Sequence, residues 1–197
     1  GMLAIAWCAG AAALFDTFSI DLQDPKARVF SAKGDADHAA DLFVLTGRGL
    51  TVYSTAGGGA VYCSVTFEEG TSAFDVADID GDGQNEIVAV CGDRLVGYDL
   101  ATEQKAPALL FEQHTLLSDT SSNPYPYVIV IERDSKPYFA LPLEDSVELR
   151  APDGALKSRY AIKATADWDR FLAEAVYPVR HGPPDALEFS VSRRIDI

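Results

Sequence analysis

Basic residues are in short supply: 16 Lys and Arg stand against 30 Asp and Glu, for a formal net charge of −14. Binding to nucleic acid or to an anionic lipid surface depends chiefly on Lys and Arg neutralising phosphate, so this balance argues against both partners. Cysteine is scarce too. Cys8, Cys63 and Cys91 are three in number, at wide and unrelated spacings, with no CxxC among them. That excludes a zinc ribbon or a disulfide framework and leaves buried apolar thiols as their reading. Long apolar runs are also lacking. "MLAIAWCAGAAALF", Met2 to Phe15, is too short to span a bilayer, so no membrane insertion is expected. It resembles the centre of a signal peptide but has no Lys or Arg ahead of it, and Leu3 to Phe15 is read as folded core rather than as a signal. Gly1 ahead of Met2, the sole methionine, looks like the remnant of a cleaved tag. Helical periodicity is likewise scarce.

What is present is a globular composition, 48% hydrophobic, distributed in short β-branched and aromatic runs bounded by Gly, Pro, Asp and Asn. This is an all-β pattern. A unit of apolar stretch, tight polar turn and second apolar stretch recurs as "LAIAWCAGAAALFD" from Leu3, "LFVLTGRGLTVYS" from Leu42, "IVAVCGDRLVGYD" from Ile87, "FALPLEDSVELRA" from Phe139 and "LEFSVSRRIDI" from Leu187. Successive starts differ by 39, 45, 52 and 48 residues, in the range of four-stranded propeller blades. The expected strands of the central unit are "SAFDVADI", "EIVAV", "RLVGYDL" and "ALLFEQHTLL"; those of the unit before are "ARVFSAKG", "DLFVLTG", "LTVYST" and "AVYCSVTF". The unit after it offers "YPYVIVIER", "PYFALPL", "SVELRA" and "KSRYAI". The first unit lacks its leading strand and the last stops after its second or third. "TADWDRFLAEAV", Thr165 to Val176, has helix-like apolar spacing, but the register makes its latter part a leading strand. The expectation is one domain over residues 1–197, an all-β propeller of antiparallel four-stranded blades, five in number and incomplete at the chain ends. A portion of a larger ring is the other possibility.

One loop stands out chemically. In "DIDGDGQNE" the side chains of Asp78, Asp80, Asp82 and Glu86 occupy positions one, three, five and nine, with the backbone carbonyl of Gln84 at seven. Calcium takes six to eight hard oxygen ligands, and an odd-numbered pattern across a glycine-bent loop gathers such oxygens around one point. Without a cation the four carboxylates repel one another and raise their own pKa values. An EF-hand is excluded, because its position-twelve Glu is here Ala89 in an apolar strand, and strands rather than helices flank the loop.

"FDVADIDGDGQNEIVAV" resembles the FG-GAP or VCBS type of repeat found in integrin-α-like β-propellers. The resemblance implies calcium ligation by Asp78, Asp80, Asp82, Gln84 through its carbonyl, and Glu86. It also implies a location outside the cytoplasm, extracellular or periplasmic, whereas cysteines without a disulfide pattern argue weakly the other way. It is specific over about 20 residues and reaches the rest of the chain by spacing alone. One period earlier, "KGDADHAAD" keeps Asp35, Asp37 and Asp41 but has Lys33 in the first ligand's place. One period later, "ERDSKPY" is too short and too poor in acids to wrap a metal.

Signs of catalysis are weaker. His38, His114 and His181 have no GxSxG elbow, HExxH or P-loop beside them, and the "AGGGA" run is a loop without the Lys-Ser/Thr of a phosphate site. The acid pairs Glu68–Glu69 and Glu144–Asp145 fall at expected turns and read as solvated. Tyr53, Tyr62, Phe74, Tyr98, Phe111, Tyr138 and Phe189 fall on expected strands and read as packing. Tyr125, Tyr127 and Trp168 lie near turns, where burial or stacking on a sugar ring or peptide both suit them. A non-catalytic binding or scaffold module for a protein or carbohydrate is the leading expectation. A propeller lyase or hydrolase acting on carbohydrate at a central channel, and a fragment of a larger multidomain protein, are the alternatives.

Overall fold

The computed structural model describes residues 2–7, 16–22, 24–34, 40–100, 106–119, 124–161, 169–178 and 187–195. All of its sheets are antiparallel apart from one two-residue addition. Strands β1 (Met2–Trp7) and β2 (Asp16–Asp21) form a hairpin. A four-stranded meander follows: β3 (Arg28–Ala32), β4 (Asp41–Thr46), β5 (Gly49–Ser54) and β6 (Ala60–Thr66). A second contains β7 (Thr71–Ala77), β8 (Glu86–Cys91), β9 (Arg94–Asp99) and β10 (Ala108–Glu112), and the short β11 (Tyr125–Pro126) joins it in parallel beside β7. The third is β12 (Val130–Arg133), β13 (Lys136–Pro142), β14 (Ser146–Arg150) and β15 (Leu156–Ala161). A last hairpin pairs β16 (Asp169–Pro178) with β17 (Leu187–Ile195).

The strands of the three meanders fall on the expected segments, and the helix-like spacing of Thr165–Val176 resolves into β16, with residues 165–168 outside the described set. In the first unit β2 starts only at Asp16, after the expected Leu3–Phe15 run, of which residues 8–15 lie outside the described set, and in the last unit β17 runs unbroken where a turn between two stretches was expected. The difference lies at the ends. Among the described residues the two hairpins remain separate two-stranded sheets, so no ladder closes the chain into a ring. The expected outer strand "ALLFEQHTLL" also ends early, at Glu112, and the chain turns into a 3-10 helix at Leu116–Asp119. Thr115 starts that turn, its Oγ1 accepting the Leu117 N–H at 2.9 Å.

Period-two alternation explains how the sheets stack. Phe43, Leu45, Leu50 and Val52 of the first meander pack with Phe74, Ile87, Ala89, Val96 and Tyr98 of the second. The opposite face of the second, Ala73, Val88, Val90 and Leu95, packs with Ile129, Phe139 and Leu141. Leu42 and Val44 turn the other way, towards Phe18 and Ile20 of the first hairpin. Strand β8 reads "IVAV" without polar interruption because both of its faces are covered. Each fully buried Val, Leu, Ile or Phe contributes about 1.5–3 kcal/mol, which makes this face-to-face stacking the main source of stability.

Two acids, the partly buried Asp75 and the buried Glu148, complete the framework. Asp75 Oδ2 accepts the N–H groups of Ile129 at 2.7 Å and Val130 at 2.8 Å, tying β7 to the chain as it enters the third meander. Glu148 on β14, 1% exposed, is clasped by Arg150 at 2.7 Å and by Arg159. Burial alone would push the Glu148 pKa up, but hydrogen bonds from Arg159 and Arg150 outweigh it and hold the carboxyl below its ordinary value.

Candidate metal centre

Ala77 at the end of β7 pairs with Glu86 at the start of β8, so residues 78–85 form a closed excursion at one end of the second meander. Gly81 and Gly83 have φ of +84° and +89°, a left-handed geometry that favours glycine, and they turn the loop back on itself. Its acids organise the backbone. Asp78 accepts the Gly81 N–H at 2.6 Å and the Gly83 N–H at 3.0 Å, and Asp80 accepts the Asp82 N–H at 3.1 Å. Glu86 Oε2 accepts the Ile79 N–H at 2.9 Å.

Asp78, Asp80 and Glu86 each bring a carboxylate oxygen within 4.8 Å of the other two. Ligands at 2.3–2.6 Å from a calcium ion lie at most about 5 Å apart, so these three oxygens can share one coordination sphere. An all-oxygen donor set suits a hard cation and not a thiophilic one. Asp82, expected as the position-five ligand, is turned elsewhere: its carboxylate accepts the Gln84 backbone N–H at 2.8 Å and Gln84 Nε2 at 3.4 Å. Three of the four expected carboxylate ligands are therefore gathered together, while Asp82 accepts hydrogen bonds from Gln84, whose backbone carbonyl, the fifth expected ligand, takes no part in those contacts.

Burial is the first cause that lifts the Glu86 carboxyl to about 7, reinforced by the charges of Asp80, Asp78 and Asp82 and opposed by the Ile79 N–H. Because this value lies above the unfolded one, the proton stabilises the folded state at low pH. That contribution is lost as pH rises from about 4.5 to about 7. A cation must displace the proton. Calcium affinity is accordingly expected to climb with pH over this window and to level off above it. Calorimetry in two buffers of different ionisation enthalpy should show close to one proton released per ion at about pH 6 and almost none at about pH 8.

One contact of this loop recurs one period earlier. Gly34 donates its N–H to Asp41 Oδ2 at 3.0 Å, as Ile79 does to Glu86 seven residues on. Asp41 is fully buried and also accepts the Thr55 N–H at 3.2 Å, which makes it a backbone anchor. The two loops touch: Asn85 Nδ2 donates to the Lys33 carbonyl at 2.6 Å. Lys33 itself is exposed, while Asp35, Asp37 and His38 lie outside the described residues. In the third meander a tight turn at Asp134 and Ser135, with φ of 52° and 54°, replaces the loop altogether.

Other candidates resolve less favourably for chemistry. His114 Nδ1 lies 2.6 Å from Asp93 Oδ1, with both side chains more than half exposed. His181, Trp168 and Cys8 lie outside the described residues. Burial, then the Asp41 charge, pushes the Cys63 thiol up to about 11, the opposite of an activated nucleophile. Glu68 pairs with Arg94 at 3.0 Å, and Glu69, Glu144 and Asp145 are exposed. Tyr125 and Tyr127 are half-buried in an edge-to-face pair 6.3 Å apart. Asp75 went unnoticed in the sequence; its one signal is an acid inside a strand otherwise rich in apolar and small residues.

No family model matches this chain, and no curated protein does. Among solved structures, a protein of unknown function from Bacteroides caccae superposes with a TM-score of 0.46 and 13% identity, over 80% of this chain and 56% of that one. The chain thus spans just over half the length of that protein.

Proposed function

We propose that this protein is a calcium-stabilised β-propeller module that binds a protein or carbohydrate partner and performs no chemistry. In this reading the five sheets are blades around one axis, and the two terminal hairpins are incomplete blades. The observation that carries it is the convergence of Asp78, Asp80 and Glu86 in a glycine-bent loop joining the first two strands of a sheet covered on both faces. An ion there would neutralise three carboxylates and fix the β7–β8 register, which is a structural role. The calcium concentrations such a site needs are met outside the cytoplasm, so an extracellular or periplasmic location belongs to the same proposal.

Thermal melting with calcium and with chelator tests it. Calcium at about 100 times its Kd stabilises by about 2.7 kcal/mol, which is about 5–10 °C for a chain of this size. Asp80→Asn keeps the acceptor for the Asp82 N–H while removing the charge, and should abolish most of the shift. Asp82→Ala should retain a substantial part of it, because that carboxylate is directed at Gln84. Coincident melts of the parent with and without calcium would end the proposal.

A further inference from the structure

A cleft at the rim opposite the acidic loops holds two cations, Lys26 and Arg28. Strand β3 starts at Arg28, β4 reaches its end beside it with Leu45 paired to Arg28, and Gly47 lies in the turn that follows. From the second meander comes Pro124, just ahead of β11, which runs parallel to β7 and so enters at the end away from residues 78–85. Together with Asp24 and Lys26 these residues line a cleft of about 260 Å³ between the two meanders.

Leu45, 3% exposed, and the buried Pro124 close the back of the cleft, so the groups it presents to solvent are mainly polar and charged. Its charged groups are not consumed by the fold. Among the described residues, neither the Lys26 ammonium nor the Arg28 guanidinium has an ion-pair or hydrogen-bond partner, although the chain holds 30 acidic residues. Asp24 is held in place: its Oδ1 accepts the Lys26 backbone N–H at 2.8 Å, and its carbonyl accepts the Ala27 N–H at 3.0 Å. Two free cations on a surface of net charge −14 form a local attractor for an anion, which electrostatic focusing in a cleft strengthens.

We infer that this cleft is a binding site for a small hydroxylated carboxylate, the chemistry of an acidic sugar such as a hexuronate. Arg28 presents a planar fork that matches a carboxylate with two parallel hydrogen bonds, and Lys26 adds a second positive charge. Asp24 accepts hydrogen bonds from ligand hydroxyls and disfavours a dianion such as phosphate. The volume, just under the ~300–1,000 Å³ of pockets for drug-sized ligands, suits a single such unit. This deepens the proposed binding role by naming a ligand class, but the cleft shares no residue with the cation loop.

Calorimetric titration with sodium galacturonate, at low ionic strength and in the presence of EDTA, tests the site without involving the cation loop. Saturable binding is expected, weakened about tenfold by Arg28→Ala or Lys26→Ala and lost in the double variant. Neutral galactose and inorganic phosphate should each bind at least tenfold more weakly than galacturonate. Both cations are exposed and make no contact that supports the fold, so the variants should melt with the parent. Absence of saturation up to about 20 mM, unchanged affinity in the double variant, or phosphate binding as tightly as galacturonate would overturn the assignment. None of these results bears on the calcium melts, so the two readings fail separately.

Discussion

Replacing Phe74 with alanine is expected to lower the unfolding free energy by about 3–5 kcal/mol, a large share of what a domain of ordinary stability possesses. Phe74 is fully buried on β7 and faces the first meander. Its ring lies 4.9 Å from that of Phe67 and 5.6 Å from that of Phe30, while Phe67 in turn meets Tyr98 edge to face. Truncation removes the transfer free energy of the ring and leaves a void walled by aromatic side chains, which fill space poorly once a neighbour is gone. The backbone on either side is pinned in ladders to β8, so collapse around the void is restricted. Phe74→Leu keeps much of the volume and should cost clearly less. Urea denaturation followed by tryptophan-independent far-UV dichroism would measure both. A loss below about 1.5 kcal/mol for the alanine variant would show that the two meanders do not depend on this contact.

Much of this framework was legible because it is local. Strand β8 announces itself by an apolar run between a glycine-rich acidic loop and the Gly92–Asp93 turn, and β3 to β6 are bounded by turn residues at each end. The separateness of the two terminal hairpins was not legible. Strand and turn chemistry set each meander, whereas whether a terminal hairpin joins a neighbouring sheet depends on contacts between distant segments, which no short window encodes. Within the acidic loop, spacing treats every acid at an odd position alike. The structure distinguishes them, since the Asp82 carboxylate is captured by Gln84 while Asp78, Asp80 and Glu86 converge. The cleft near Arg28 escaped notice for a related reason: its walls come from residues 24–47 and from Pro124, far apart in the chain.

Asp75 shows the same limit most sharply, and its removal is the second large effect expected. In "SAFDVADI" an isolated acid reads as the solvent-facing member of an alternating strand. Its partners are instead backbone groups 54 and 55 residues onward, Ile129 and Val130, with the adjacent Val76 N–H held by Oδ1 at 2.8 Å. Asp75→Ala leaves the N–H of the fully buried Ile129 and that of Val130 without their acceptor. Each unsatisfied buried donor costs about 1–3 kcal/mol, so a loss of about 2–4 kcal/mol is expected. Asp75→Asn retains one acceptor oxygen and should lose less than half as much. Burial is the first cause that raises the Asp75 pKa, and the three N–H donors only partly offset it. The ionised form is therefore the costlier one. The acid's contribution is greatest below its unfolded pKa and declines as pH rises through the folded value, so the advantage of Asp over Asn should narrow with increasing pH. Hydrogen exchange adds a local readout, with protection at Ile129 and Val130 falling first in the alanine variant. Equal stability of parent and alanine variant, with protection at those two amides intact, would mean that the entry into the third meander is held by side-chain packing alone.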